Sequence, residues 1–363
     1  MVKRALFTRR HYLQSMFAAG VISPALLSLT GCGSVQTCPD DPAESGGVDW
    51  TPDVLHPMFW GFQDLDVANG APGPLRVFYP TYEGSPQNAP ILKLCLIRYP
   101  VVLFMHGQPP CADANYFKRW QILGMVLARS GYVVVMPKHP ALSPGEGSPS
   151  IAVGLGALDW VRSSWEHRNW VDSDVTATAV VGHSFGALLA ARIRQARSTI
   201  GAYVGLSGVW TEVNDTNALL ESIQAPSLFM WATEAGPVAE SLDTGGLWNR
   251  IPFGKSAAFF PGQHFDYVSP PAGCNPPRGG CNLIELVTAE LVTLFVTRHV
   301  PVKTSRAPIP PSLIPPAVTL TPRQEFFAGS HLNGIQLIQS RPGCRVDLRW
   351  EDPFETGSRH LGP

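Results

Sequence analysis

The sequence predicts an α/β fold built on one doubly wound, mostly parallel sheet. Short β-branched segments alternate with longer helical patterns between residues 50 and 300, which implies crossover connections. Several strand segments are apolar at every position, as expected for strands buried on both faces of a parallel sheet. The composition, 45% hydrophobic and 15% charged, suffices for a folded core and excludes a disordered chain or a coiled coil.

The predicted elements follow from this alternation. Strands are expected at Leu75–Tyr79, Tyr99–Met105, Tyr132–Met136, Thr178–Val181, Ala202–Leu206, Ser227–Ala232 and Ala257–Phe260. Helices are expected at Tyr116–Arg129, Ile151–Trp165, Gly186–Ala196 and Leu283–Arg298. Together they are expected to form one α/β domain over residues 50–300.

Residues 1–31 are predicted to be an export signal. The segment starts with basic residues and continues with an apolar run from about Met16 to Leu29, which Pro24 interrupts and which is too short to span a bilayer comfortably. The stretch from Thr8 to Gln14 contains Arg9-Arg10 and resembles the twin-arginine (Tat) export signal. We therefore expect an exported protein of a bacterial cell envelope.

The end of this segment resembles a lipoprotein processing site. Leu29-Thr30-Gly31-Cys32 is similar to the bacterial lipobox, in which the cysteine is lipidated and becomes the new N-terminus. The alternative is an ordinary cleaved signal with Cys32 as a plain thiol. The lipobox pattern predicts a lipid-tethered linker over residues 32–49, which is polar and rich in Gly and Pro. The protein would then be membrane-anchored or periplasmic.

The composition changes after Val300. Pro301–Pro322 is Pro-rich and is expected to be an extended arm rather than a helix. Gly334–Ile338 and Cys344–Trp350 alternate around Arg341-Pro342-Gly343, which predicts a hairpin that packs back on the main domain. Residues 301–363 are thus interpreted as a C-terminal Pro-rich arm and hairpin.

Charge and cysteine content narrow the possible partners and cofactors. The formal net charge of −1 provides no basic face, so a nucleic-acid partner is not expected. If Cys32 carries lipid, six cysteines remain, and an even number in an oxidising compartment favours disulfides. The best local candidate pair is Cys274–Cys281, with the full connectivity left open. No C-x-x-C motif or histidine at ligand spacing suggests zinc, and no metal site is predicted.

The strongest chemical signal is Gly182-His183-Ser184-Phe185-Gly186. It follows an apolar strand and opens a helix, the context of a nucleophile elbow. Glycines two residues before and after the serine are needed because side chains there would collide in the bend. This arrangement predicts Ser184 as a nucleophile. The alternative is a glycine-rich structural turn.

A serine nucleophile needs a base and a carboxylate that orients the base. His264 follows the last predicted strand, which brings it to the same carboxyl edge of the sheet as Ser184. Glu234, two residues beyond the strand Ser227–Ala232, is the first choice for the acid, with Glu240 and Asp243 as reserves. His183, inside the elbow, is expected to face the packed side of the turn.

Acyl transfer also needs two N–H groups aimed at the developing oxyanion. Phe185, directly after the nucleophile, is expected to supply one. The other is expected from the loop that follows the strand ending at Met105. Because Pro109 and Pro110 have no N–H, Gln108 is the expected donor.

The order of these elements resembles the α/β-hydrolase superfamily. His106-Gly107, the elbow, an acid near Glu234 and His264 follow one another over roughly Leu75 to Arg298. Gly-His-Ser-Phe-Gly and the final His-Phe-Asp are similar to the group of dienelactone hydrolases, chlorophyllases, platelet-activating-factor acetylhydrolases and bacterial polyesterases. The resemblance implies the α/β-hydrolase fold and serine-esterase chemistry. The absent aspartate at the usual acid position and the C-terminal arm depart from it.

The predicted function is hydrolysis of carboxylic esters through a Ser-His-acid triad and an acyl-enzyme, without a cofactor. The segment between Leu206 and Ser227 is too short for a large cap, so the cleft should accept small-molecule, lipid or polyester esters. Trp210, Trp231 and Trp248 are candidates for an apolar acyl site or, equally, for the core. The alternative function is a catalytically silent envelope lipoprotein that acts as a binding or scaffold protein. The oligomeric state stays open.

Overall fold

Apolar strands alternate with helices to build a ten-stranded sheet. The computed structural model describes residues 59–81, 87–93, 97–111, 113–140, 148–210, 215–233, 244–252, 254–268, 274, 284–304, 346–351 and 356–361. All of them fall in one compact unit, Val54–Pro363. The predicted signal (1–31), the linker (32–49), Cys32 and most of the Pro-rich arm therefore lie outside the described residues.

The strands, numbered along the chain, are β1 Phe59–Leu65, β2 Leu75–Thr81, β3 Ile97–Arg98, β4 Val101–Met105, β5 Val133–Pro137, β6 Thr178–His183, β7 Ala202–Leu206, β8 Ser227–Ala232, β9 Lys255–Phe260, β10 Lys303–Thr304, β11 Val346–Glu351 and β12 Thr356–Leu361. The helices are α1 Gln121–Arg129, α2 Ser148–Ser163, α3 Phe185–Ala196, α4 Thr216–Glu221 and α5 Ile284–His299. None of the helices in the described part of the chain is long and apolar enough to cross a membrane.

The sheet has the order β1-β2-β5-β4-β6-β7-β8-β9-β11-β12, and β10 pairs with β3 separately. The strands from β5 to β9 are parallel, and antiparallel pairs flank them on both sides. The predicted doubly wound, mostly parallel sheet is thus confirmed. The antiparallel strand β1 has no counterpart in the sequence-based prediction, and neither does the short helix α4.

Both faces of the central strands are buried. Phe104 of β4 belongs to the hydrophobic core that also includes Leu127 of α1 and Val292 of α5. Leu103 and Met105 point the other way, towards the position of Gly154 in α2. This two-sided burial explains why the strand sequences are apolar throughout rather than alternating.

The C-terminal hairpin exists but differs from the predicted one. Its strands are β11 and β12, and β11 pairs antiparallel with β9, so the hairpin extends the sheet. The predicted first strand, Gly334–Ile338, and its turn lie outside the described residues. Asp352-Pro353, between β11 and β12, is a turn signal of equal strength in the sequence.

Candidate active site

The site is built where the strand order reverses. Strand β4 lies between β5, which follows it in the chain, and β6, which comes after the next helix. Connections leave β4 and β6 towards opposite sides, and in open α/β sheets ligands bind at the carboxyl ends of strands at such a reversal. His106-Gly107-Gln108 leaves β4 at this edge, and Ser184 leaves β6 there.

Ser184 occupies a sharp strand-to-helix turn. Its backbone has φ 57° and ψ −126°, a positive φ that is rare for a residue other than glycine, and it lies at the N-cap of α3. The Ser184 N–H donates to the carbonyl of Leu206 at 2.8 Å, which fastens the turn to the end of β7. A strained conformation of this kind costs about 1–3 kcal/mol and persists only when its surroundings impose it.

The two glycines of the elbow allow this close packing. A Cβ at Gly182 would collide with the main chain of Gly186, and one at Gly186 would collide with the carbonyl oxygens of Met105 and His106. The elbow thus rests directly on the end of β4. The predicted steric role of these glycines agrees with the geometry.

The loop after β4 passes beside the nucleophile. A Cβ built on Gly107 would lie 2.5 Å from Ser184 Cβ and 3.2 Å from Ser184 Oγ. Gln108, the next residue, is exposed. Phe185 begins α3, and the first N–H groups of a helix lack intrahelical acceptors. The two predicted oxyanion donors therefore come from the two segments that flank Ser184.

Two buried histidines, His106 and His139, hold the loop that follows β4. The rings of His106 and His139 stack with centroids 3.8 Å apart, and His139 Nε2 donates to the His106 carbonyl at 3.0 Å. His106 Nδ1 donates to the Gly107 carbonyl at 2.8 Å. Burial, reinforced by His139, lowers the pKa of His106 to about 3, so this ring is neutral at physiological pH. His139 was not predicted, because a single histidine after a strand carries no motif.

The segment after β9 places His264 beside the elbow. His183 Nε2 donates to the His264 carbonyl at 2.8 Å, and the two rings lie 4.9 Å apart. The Asp266 carboxylate accepts the N–H of Gln263 at 2.8 Å and closes the short turn that carries His264. The structure thus brings Ser184, the Gly107–Gln108 segment and His264 to one edge of the sheet.

His183 is fully buried, in agreement with its predicted position on the packed side of the turn. Its ring contacts Trp120, with centroids 4.9 Å apart, as well as the ring of His264. Burial holds the pKa of His183 well below its usual value, and the nearby His264 lowers it further. The neutral ring must keep its proton on Nε2 to donate to a carbonyl oxygen.

One segment of the chain, which includes β4 and the Ser184 elbow, matches a known protein family. Residues 66–209 match the family model described as chlorophyllase. Chlorophyllases are members of the α/β-hydrolase superfamily, so this segment is similar to that superfamily. No curated protein matches the chain. The match includes the Gln108 loop and the Ser184 elbow and ends before His264. It supports an ester-cleaving hydrolase in general.

The predicted acid falls where the structure gives no description. Thr233, the last described residue after β8, donates its N–H to the carbonyl of Phe260 at 2.9 Å. The chain therefore leaves β8 beside the end of β9, next to the segment that carries His264. Glu234, Glu240 and Asp243 lie outside the described residues, so the choice among them stays a prediction.

The three tryptophans that the sequence offers for an acyl site are buried in the protein core. Trp210, Trp231 and Trp248 are at most 4% exposed. They pack in one aromatic cluster with Phe229, whose ring lies 5.9 Å from those of Trp210 and Trp231. Of the two alternatives weighed from sequence, the structure favours the core.

The predicted disulfide Cys274–Cys281 is wrong, because Cys274 is bonded to Cys111. The Cα atoms of these two residues are 6.1 Å apart although 163 positions separate them in sequence. Sequence proximity favoured Cys281, which lies outside the described residues. The fold instead brings together the loop after β4 and the segment after β9.

Side chains that could bind a metal ion do not cluster in the part of the chain that the structure describes. Among those residues, no group of three or more His, Cys, Asp or Glu side chains could hold a metal ion.

Proposed function

We propose that the protein is a serine esterase in which Ser184 is the nucleophile and His264 the general base. The observation that carries this proposal is the strained elbow of Ser184, packed against Gly107 at the switch point of the sheet. A turn that costs free energy and holds a serine at this edge suits nucleophilic catalysis. The chlorophyllase match over residues 66–209 supports the same class of reaction.

In the first step, Ser184 Oγ attacks the ester carbonyl while His264 takes the hydroxyl proton. The carbonyl oxygen becomes an oxyanion. The N–H of Phe185, at the positive end of α3, and the N–H of Gln108 stabilise it. Collapse of the tetrahedral intermediate releases the alcohol, to which His264 returns the proton.

In the second step, His264 activates a water molecule that attacks the acyl-enzyme. The same two N–H groups stabilise the second oxyanion, and the acid leaves as Ser184 recovers its proton. The orienting carboxylate is proposed to be Glu234, with Glu240 and Asp243 as alternatives. Apart from the ester and this water molecule, each proposed step uses only side chains and main-chain groups of the protein.

The proposed substrates are carboxylic esters of small molecules, lipids or polyesters. The exposed Gln108 beside Ser184 agrees with a cleft that is open to solvent. A lipid on Cys32 would tether such an enzyme to an envelope membrane, which favours apolar esters. This location remains a proposal based on the N-terminal sequence.

The test is hydrolysis of p-nitrophenyl butyrate by the purified protein and two serine variants. Ser184→Ala should lower kcat by at least about 10³-fold, since the oxyanion donors alone leave only residual catalysis. The matched control Ser163→Ala removes an exposed hydroxyl at the end of α2 and should leave kcat unchanged. Equal activity of Ser184→Ala and wild type would contradict the proposal.

The acid can be assigned by three further variants, Glu234→Gln, Glu240→Gln and Asp243→Asn. Loss of the orienting carboxylate should reduce kcat by about 10⁴-fold in the one that matters, because His264 then adopts the wrong tautomer or orientation. The other two variants should stay close to wild type. If only Glu240→Gln or only Asp243→Asn loses most of its kcat, that residue is the acid instead of Glu234.

A further inference from the structure

The Cys111–Cys274 disulfide joins the two segments that carry the proposed catalytic groups. Cys111 lies in the loop that leaves β4, three residues after Gln108. Cys274 lies ten residues after His264 on the chain that leaves β9. The bond therefore connects the oxyanion side of the site with the base side.

The chain between Gln108 and Cys111 transmits this restraint. Pro109 and Pro110 are the only residues between them, and proline rings fix the φ angle of both. Fewer rotations between Cys111 and Gln108 can therefore absorb a displacement of Cys111 before it reaches Gln108. His106 and Gly107 are buried, whereas Gln108 is exposed and Pro109 to Cys111 are half-buried.

The other end of the bond is anchored in the protein interior. Cys274 is 4% exposed, and Tyr267 and Val268, on the same segment, are 1% exposed members of the core. The Tyr267 hydroxyl accepts a hydrogen bond from Ser207 Oγ at 2.8 Å. The buried end thus acts as the fixed point to which the exposed oxyanion loop is fastened.

We propose that the Cys111–Cys274 disulfide is a positioning element of the esterase site, which keeps the Gln108 N–H directed at the oxyanion next to Ser184. This inference rests on the proposed function. The bond touches no reacting atom and acts through the Pro109-Pro110 segment. Its loss should therefore impair the stabilisation of the transition state more than the binding of the ester.

The expected effect is a fall in kcat with little change in KM. Removal of one oxyanion donor costs about 10²–10³-fold in kcat, and a misplaced donor should cost part of that, about tenfold or more. Binding of the neutral ester carbonyl depends less on these donors, so KM should change by less than about threefold. If the bond had only a structural role, its loss would lower the melting temperature. It would leave kcat, measured well below that temperature, unchanged.

The experiment compares wild type with the double variant Cys111→Ser/Cys274→Ser, each before and after treatment with a phosphine reductant. The phosphine splits each accessible S–S bond into two thiols and is itself oxidised to the phosphine oxide, with water supplying the oxygen and protons. Hydrolysis of p-nitrophenyl butyrate is measured well below the melting temperature of every sample. Circular dichroism verifies that each sample is folded.

The double variant separates this bond from any other disulfide in the chain. We expect phosphine to lower kcat of the wild type about tenfold or more and reoxidation to restore it. The double variant should start at the low kcat and should not respond to phosphine. If it does not fold, the wild type is titrated with phosphine, and mass mapping of the alkylated cysteines must show that kcat falls together with the Cys111–Cys274 bond and not with another disulfide.

Three results would overturn the inference. Suppose that kcat of the wild type does not change when Cys111 and Cys274 are reduced, while Ser184→Ala still abolishes activity. This result would refute the positioning role and leave the proposed function standing. A peptide map of the unreduced protein that links Cys274 to Cys281 would also refute it. An oxidised wild type without Ser184-dependent turnover would refute the proposed function itself, and with it this inference.

Discussion

The imidazole of His183 donates a hydrogen bond from Nε2 to the main-chain carbonyl of His264, at 2.8 Å. His183 directly precedes the proposed nucleophile, so one residue of the elbow also holds the segment that carries the proposed base. The bond is completely buried on the His183 side. The His183 side chain therefore joins the segment of the proposed nucleophile to the segment of the proposed base.

Replacement of His183 should consequently weaken catalysis without removing a reacting group. In His183→Phe an aromatic ring is kept, although it is somewhat larger, but the His264 carbonyl loses its donor, so we expect a loss of about 1–3 kcal/mol in the free energy of unfolding. Because the base is then less well placed, kcat should fall about tenfold. Steady-state kinetics and urea unfolding measure the two effects.

His183→Gln is the matched control, since its amide can still donate to the carbonyl. It should recover part of the lost kcat. A His183→Phe variant that unfolds more easily but retains full kcat would show that the hydrogen bond has only a structural role.

The elbow glycines should be intolerant of a methyl group. In Gly186→Ala the new Cβ would collide with the carbonyl oxygens of Met105 and His106, and we expect destabilisation by about 1–3 kcal/mol or more. Gly156→Ala is the control within helix α2. There the new Cβ meets only Pro72 at 3.7 Å, so the variant should gain up to about 1 kcal/mol from helix propensity. Equal unfolding midpoints for both variants would contradict the packing of the elbow.

Buried histidines should make stability depend on pH. Burial lowers the folded-state pKa of His106, His139 and His183 below the ordinary value near 6.5, to about 3 for His106. Below pH 6.5 the unfolded chain therefore binds protons that the folded state does not. The free energy of unfolding should fall as pH decreases from 6.5 to 5, by up to about 1.4 kcal/mol per pH unit for each neutral histidine.

Urea unfolding between pH 7.5 and pH 5 measures this slope. His106→Asn should make it shallower. Ser163→Ala, which removes an exposed hydroxyl that does not titrate, should leave it equal to that of the wild type. A free energy of unfolding that does not change over this pH range would contradict the burial of neutral imidazoles.

The aromatic cluster around Phe229 should affect stability and not substrate choice. Trp231→Phe leaves a gap beside Phe229 and Phe259, and we expect it to lower the free energy of unfolding by about 1 kcal/mol or more. KM values for acetyl, butyryl and octanoyl esters of p-nitrophenol should keep their wild-type ratios. A change in these ratios without a change in stability would assign Trp231 to the acyl site.

Most of the fold could be predicted because its central strands are buried on both faces. Such strands are apolar at every position, and β7 and β8 have the bounds expected from sequence. Strand β1, with its Gly61, Gln63 and Asp64, lacks this signal because it is the terminal strand of the described sheet and is only partly buried. Its position depends on pairing with β2 rather than on its own composition.

The candidate site was predictable only where geometry is encoded locally. The elbow requires Gly182 and Gly186 within one turn, so the sequence itself indicates the bend. The partner of Cys274 and the support from His139 depend on segments that meet only in the folded chain. No local pattern specifies such contacts, and the nearer cysteine, Cys281, was chosen wrongly for that reason.

Reaction with a fluorophosphonate probe, followed by peptide mass mapping, tests the central claim most directly. The probe phosphonylates a serine only when a base and an oxyanion site activate it. We predict one modified residue, Ser184, with labelling lost in Ser184→Ala and slowed in His264→Gln. A folded, oxidised wild-type protein that remains unlabelled would contradict the account and favour a catalytically silent binding protein.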